Sequence, residues 1–104
     1  MRAILLAAGF GRRLRPITDT IPKCLVPING KPLIDYWLEQ LTEAGIEKFL
    51  INTHYLHEQV EAYIERSKFS DMVNLVYEKE LLLAGGTVIA NKEFIGDEPF
   101  MLVH

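Results

Sequence analysis

The chain predicts an α/β fold: a Rossmann-like, doubly wound parallel sheet in a three-layer αβα sandwich. Three observations carry that expectation. Residues 2–8 form a continuous apolar run, as expected of a central parallel strand covered on both faces. Leu33, Ile34, Trp37, Leu38, Leu41 and Ala44 then recur at helical spacing. Further strands and helices alternate to the end, which implies parallel strands joined by right-handed crossovers.

The elements follow in order. Residues 9–31 contain Gly9, Gly11, Pro16, Pro22, Pro27 and Asn29-Gly30 and show no sustained periodicity. A loop this long inside a compact domain is usually functional. Pro32 suits the first turn of the helix that follows, and Gly45 its C-terminal cap, with Ile46 the apolar residue beyond. Residues 47–52 read as the second strand, and Leu56, Val60, Tyr63 and Ile64 mark a second amphipathic helix. Met72–Tyr77 is the third strand. Gly85-Gly86-Thr87 leads into a short helix reaching Ala90 or Asn91, and Phe100–Val103 starts a fourth strand, after which the sheet reads as truncated.

One domain, residues 1–104, accounts for the whole chain. At this length roughly 65% of the unfolded surface can be buried. Hydrophobic residues make up 49% and charged residues 24%, an ordinary globular balance. The net charge of −3 argues against general binding to nucleic acid or anionic membrane. Arg2, Arg12, Arg13, Arg15, Lys23 and Lys31 nevertheless all fall in the first third, which favours a local anion site. A single cysteine, Cys24, precludes an intrachain disulfide and suits a reducing compartment. With no secretory leader or long apolar stretch evident, a cytoplasmic location is expected. An open edge on the last strand invites association, so a homo-oligomer is among the expected states.

The chemistry concentrates where the first strand ends. Gly9-Phe10-Gly11-Arg12-Arg13-Leu14 lets backbone amides converge on one spot, where a Cβ would crowd a ligand. Arg13 and Lys23 can add fixed positive charge there. The dinucleotide fingerprint is excluded, because Leu14 stands at its third glycine and Pro16 blocks a helix directly after the turn. No Walker A Gly-Lys-Ser/Thr is present either.

Leu5-Leu6-Ala7-Ala8-Gly9-Phe10-Gly11-Arg12-Arg13-Leu14, then Pro16, Thr18, Pro22-Lys23, Leu25, Pro27 and Lys31-Pro32, closely resembles the signature of sugar-1-phosphate nucleotidyltransferases. These enzymes are also called nucleotide-sugar pyrophosphorylases. The resemblance implies the nucleotide-binding half of such an enzyme. It would transfer a nucleotidyl group from a nucleoside triphosphate to a sugar 1-phosphate and release pyrophosphate, assisted by magnesium. A nucleotide-sensing or assembly subunit on the same fold is the alternative.

By the same resemblance Arg13 contacts the triphosphate, and Lys23 lies near the α-phosphate and the incoming sugar phosphate. Arg12 replaces the usual Ser or Thr. Backbone groups of Leu6, Ala7, Ala8 and Gly9 lie beside the base, with Gly11 in the phosphate turn and Gly85 and Gly86 in a second base segment. In that segment Leu83 and Ala84 replace the usual Gly and Thr. Glu78 stands where uridylyl-type relatives tend to carry Gln. A carboxylate only accepts hydrogen bonds, which suits the two adjacent donors on guanine. That favours GTP and a protein like the mannose-1-phosphate guanylyltransferases. The family's magnesium-binding aspartate is expected just past the strand ending at His104, so the chain as given is expected to hold no metal ligand and to be inactive alone.

His54 and His57 read as surface or capping residues around a helix start, and Cys24 as a structural thiol. Trp37, Leu38 and Leu41 read as core, and Glu39, Glu43, Glu61 and Glu65 as solvated helix faces.

Overall fold

A computed structural model describes residues 1–9, 12–82 and 84–103, with Arg12 and Ala84 described in backbone only. Four parallel strands form the sheet: β1 (Arg2–Leu6), β4 (Lys48–Thr53), β5 (Val73–Tyr77) and β6 (Phe100–Val103). Their spatial order is β5-β4-β1-β6. β1 pairs with β4 from Arg2↔Lys48 to Leu6↔Asn52, and with β6 from Arg2↔Phe100 to Leu5↔Val103. Between β1 and β4 the chain adds a hairpin, β2 (Pro27–Ile28) and β3 (Lys31–Pro32), and helix α1 (Leu33–Glu43). Helix α2 (His57–Glu65) joins β4 to β5, and α3 (Ala84–Ala90) and α4 (Lys92–Ile95) join β5 to β6.

The order explains the layers. From β1 the chain steps outward twice in one direction, to β4 and then to β5, so right-handed crossovers place α1 and α2 on one face. It then returns across β1 to β6, which places α3 and α4 on the other. The core follows this division. Ala3, Leu5, Phe49 and Ile51 point to one face and pack with Ile34, Leu38 and Leu41 of α1 and Val60 and Ile64 of α2. Residues of opposite parity, Leu50, Asn74 and Val76, line the face shared with Ile89, Ala90 and Phe94. The doubly wound, three-layer expectation holds, and the crevice between β1 and β6 is the point where winding reverses.

Local chemistry sets the boundaries. Gly45 takes φ +102° and passes its N–H to the Thr42 carbonyl, while the Ile46 N–H reaches Leu41, as expected of a glycine cap. The first strand stops at Leu6 rather than Ala8, because Ala7 turns its N–H to a side chain instead of the ladder. Helix α1 begins at Leu33 with Pro32 as the residue before it. The segment read as a featureless loop contains three short 3₁₀ turns (Arg12–Leu14, Ile17–Asp19, Lys23–Leu25) and the hairpin. Asn29 (φ +53°) and Gly30 (φ +78°) take the two positive-φ posts that a tight hairpin turn requires. Among the described residues, no helix is long and apolar enough to cross a membrane.

Candidate functional site

The site forms outside the carboxyl ends of β1 and β6, where open parallel sheets hold ligands. A cavity of about 310 Å³ opens there, lined by Leu6, Ala7 and Gly9 from the end of β1, Lys23 and Cys24 from the third 3₁₀ turn, and Trp37 of α1. Leu6, Ala7, Gly9 and Lys23 thus border one cavity, whereas Arg13, Glu78, Gly85 and Gly86 are not among its lining residues.

The long loop is tied down from both sides. Pro22 is under 2% exposed and anchors the turn that carries Lys23, while the Leu25 N–H donates to the Pro22 carbonyl at 2.9 Å. Thr18 is 1% exposed. Tyr55 Oη donates to the Thr18 carbonyl at 2.8 Å and the Asp19 carbonyl at 3.3 Å, and Gln59 Nε2 donates to the Thr20 carbonyl at 2.8 Å. Sequence periodicity gave no signal for Tyr55 or Gln59, because both bond to loop backbone.

The cationic cluster sorts itself. Lys31 pairs with Glu39 on α1, and the hydrogen bond between them raises the Lys31 ammonium above its ordinary pKa and lowers the Glu39 carboxyl. Glu39 also meets Lys68 at 3.6 Å, so it is an ion-pair centre rather than a simple solvated face. Arg15 lies 3.7 Å from Asp19, and Arg2 bonds to the Phe94 carbonyl and covers its ring on the amino-terminal side of the sheet. Among the described residues, Arg13 and Lys23 have no salt-bridge partner, and both side chains are exposed. Lys23 borders the cavity, and Arg13 lies on the same loop outside its lining.

Gly9 is exposed, its φ lies outside the left-handed region, and an added Cβ would meet nothing within 4 Å. What Gly9 provides is therefore open approach, not a left-handed curl. Gly11 lies outside the described residues, as do Phe10, Leu83 and His104 and the Arg12 side chain. Ala8 is 3% exposed, Gly85 is exposed, and Gly86 is half-buried in the first turn of α3.

Three residues occupy unexpected posts. Trp37 is 38% exposed and lines the cavity instead of joining the core. Ile34, Leu38 and Leu41 meet the sheet, and at 100° per residue Trp37 lies roughly 60° to one side of Ile34, on the flank that borders the crevice. Glu78 is 5% exposed and turned inward. Its Oε1 accepts from Asn52 Nδ2 at 3.3 Å and the Leu82 N–H at 3.2 Å, and its Oε2 accepts from Thr87 Oγ1 at 2.6 Å. The base-facing edge expected of Glu78 is thus directed at its own protein. Asn52, 3% exposed, spends Oδ1 on the Ala7 N–H at 2.6 Å, which removes that amide from the expected base contacts. Its signal was present: a polar residue closing the run Phe49-Leu50-Ile51 is buried and must be bonded.

The remaining residues are structural. His54 Nδ1 carries a hydrogen, because its 2.6 Å partner is the Glu78 carbonyl, which only accepts. His57 opens α2, stacks on Tyr77 with ring centroids 4.0 Å apart and pairs with Glu61. Among the described residues no group of His, Cys, Asp or Glu is arranged to hold a metal ion.

Cys24 is 8% exposed, and burial pushes its thiol up to about 11. It stays protonated at neutral pH and is no nucleophile. Alkylation of Cys24 at pH 8 is expected to run at least roughly 100-fold slower in the folded chain than in denaturant. Equal rates would contradict its burial. Because the folded thiol titrates above its ordinary 9.0, its contribution is present below pH 9.0 and is lost as pH rises through about 11.

Known proteins resemble the chain over almost all of its length. The N-acetylmuramate alpha-1-phosphate uridylyltransferase of Neisseria meningitidis is 41% identical over 100% of this chain and 46% of its own length. The D-glycero-alpha-D-manno-heptose 1-phosphate guanylyltransferase of Campylobacter jejuni is 32% identical, over 98% of this chain and 46% of its own length. A UDP-glucose pyrophosphorylase solved with UDP-glucose superposes with TM-score 0.79 at 32% identity, covering 97% of this chain and 44% of that one. The chain spans about half the length of these relatives. Residues 2–104 match the nucleotidyl transferase family, and the chain belongs to it.

Proposed function

We propose that residues 1–104 form the nucleotide-binding half of a cytoplasmic sugar-1-phosphate nucleotidyltransferase. The observation that carries this reading is the crevice at the switch point, where Gly9 and Lys23, without an ion-pair partner among the described residues, border one cavity. In the reaction an oxygen of the sugar phosphate attacks the α-phosphorus of the triphosphate in line. The bond to the β-phosphate oxygen breaks, and pyrophosphate leaves on the opposite side. Both reactants are anions, so catalysis rests on positioning and charge neutralisation. Arg13 would offset charge on the departing pyrophosphate, and Lys23 would hold the α-phosphate against the attacking sugar phosphate.

The guanine preference rested on a carboxylate facing the ligand. Glu78 faces inward and bonds to Asn52 and Thr87, and GTP is proposed as the first triphosphate to test. Uridylyl- and guanylyl-transferring relatives both match the chain. Magnesium is proposed as the metal of the reaction. It would supply charge neutralisation at the phosphates, but no group of His, Cys, Asp or Glu among the described residues is arranged to hold it.

The test is pyrophosphate release by the complete gene product with magnesium, offering GTP, CTP, UTP, dTTP and ATP separately against a pool of sugar 1-phosphates. Release with one triphosphate, dependent on added sugar phosphate, supports the reading and identifies the base. Silence from the folded protein favours a nucleotide-sensing or assembly subunit.

A further inference from the structure

At the carboxyl ends of β1, β4 and β5 one continuous hydrogen-bond chain runs through the interior. The Ala7 N–H donates to Asn52 Oδ1, Asn52 Nδ2 donates to Glu78 Oε1, and Glu78 also receives the Leu82 N–H and the Thr87 hydroxyl. Asn52, Glu78 and Thr87 are 3%, 5% and 0% exposed. Among the described residues Glu78 has no salt-bridge partner, so its carboxylate is satisfied by neutral donors alone. Its backbone is fixed as well, by the Thr53 carbonyl at 2.7 Å and by His54.

The chemistry of the ends dictates the middle. The Ala7 N–H that faces Asn52 only donates, and a carboxylate only accepts. An asparagine between them has one orientation that satisfies both, with its oxygen toward Ala7 and its NH₂ toward Glu78. The alternative flip would set NH₂ against N–H and oxygen against oxygen, deep in a region that penalises unmade bonds.

We propose that Glu78 is a positioning residue: acting through Asn52, it locks the turn after β1 to the segment 78–87 after β5. It would thereby fix the turn after β1, whose Leu6, Ala7 and Gly9 border the cavity, against the segment after β5 without itself touching the base. The consequence for nucleotide selection rests on the nucleotidyl-transfer reading; the hydrogen-bond chain does not.

The test uses the full chain, labelled with ¹⁵N and ¹³C, without nucleotide. A scalar coupling across the hydrogen bond between Ala7 N and Asn52 Cγ is expected in the unaltered protein, and its absence overturns the proposal. Glu78→Met, which keeps the side chain's length and removes both acceptor oxygens, is expected to speed amide exchange at Ala7 by roughly 10-fold or more, while Phe49 and Ile51 amides report an intact sheet. The swap N52D with E78Q restores an acceptor facing Ala7 and a donor facing it from position 78. It is expected to recover protection at Ala7 but not at Leu82, which a plain packing role would not produce. Ala7 protection indifferent to both variants overturns the proposal.

A second arm adds GTP, UTP and CTP. Positioning predicts that Glu78→Met weakens all of them together. A change confined to one base, with Ala7 protection unaltered, returns Glu78 to direct base contact. A chain that binds no triphosphate, yet shows the coupling and the rescue, removes the proposed function and leaves this inference standing.

Discussion

Lys23→Ala in the complete gene product is expected to lower turnover by roughly 10²-fold or more, as for other preorganised charge stabilisers. The side chain is exposed and unpaired among the described residues, so its loss removes no packing and no ion pair. Its backbone is held by the buried Pro22 and by the Val26 N–H to Lys23 carbonyl bond at 3.2 Å, neither of which involves the ammonium. Thermal stability should therefore stay within about 0.5 kcal/mol of the unaltered protein. Lys23→Arg keeps the charge but spreads it over a planar fork, and an intermediate rate is expected. Steady-state kinetics with the preferred triphosphate decide the matter. A near-native rate for Lys23→Ala removes the residue from the mechanism.

Phe49→Ala carries the largest expected stability loss, about 3–5 kcal/mol. Phe49 is 0% exposed in the interior strand β4 and belongs to the cluster shared by the sheet, α1 and α2. The neighbouring strands pair with β4 on both sides, so the backbone has little freedom to collapse into the space left. A domain of this size has roughly 5–15 kcal/mol in all, so a large fraction of the stability goes. Urea unfolding followed by circular dichroism measures it. A loss below about 1 kcal/mol would mean that the α1–α2 face is not the principal core.

The architecture was legible because its signals are local and periodic. The apolar run 2–8, the helical stripe of α1 and the glycine at 45 each encode one element, and alternation of elements encodes the parallel sheet. The hairpin inside the long loop carried an Asn29-Gly30 signal, but its two-residue strands are too short to show alternation. Helix α4 was missed for the same reason: four residues hold barely one turn.

The site was legible where it depends on residue type, and not where it depends on direction. Gly9 and Lys23 follow from chemistry that needs an open backbone and a cation, and both border the crevice. Trp37 matches the core period, yet lies on the flank of its stripe, a distinction that spacing alone does not resolve. Glu78 carries the same charge whether it faces a base or the interior. Its direction is set by Asn52 and Thr87, 26 and 9 residues away in sequence. Lys31 and Arg15, counted with the cationic first third, find their partners through folding.

The central claim is that the switch-point crevice binds a nucleoside triphosphate through the Gly9 turn and Lys23. The most direct test titrates GTP, then UTP and CTP, into the labelled chain with magnesium and follows the backbone amides. The account predicts saturable shifts clustered at Leu6–Gly9, at Lys23 and in the segment from 79 to 86, lost in Lys23→Ala. Shifts clustered instead on the opposite face around Arg2 and Phe94, or no saturable shift with any triphosphate, would contradict it.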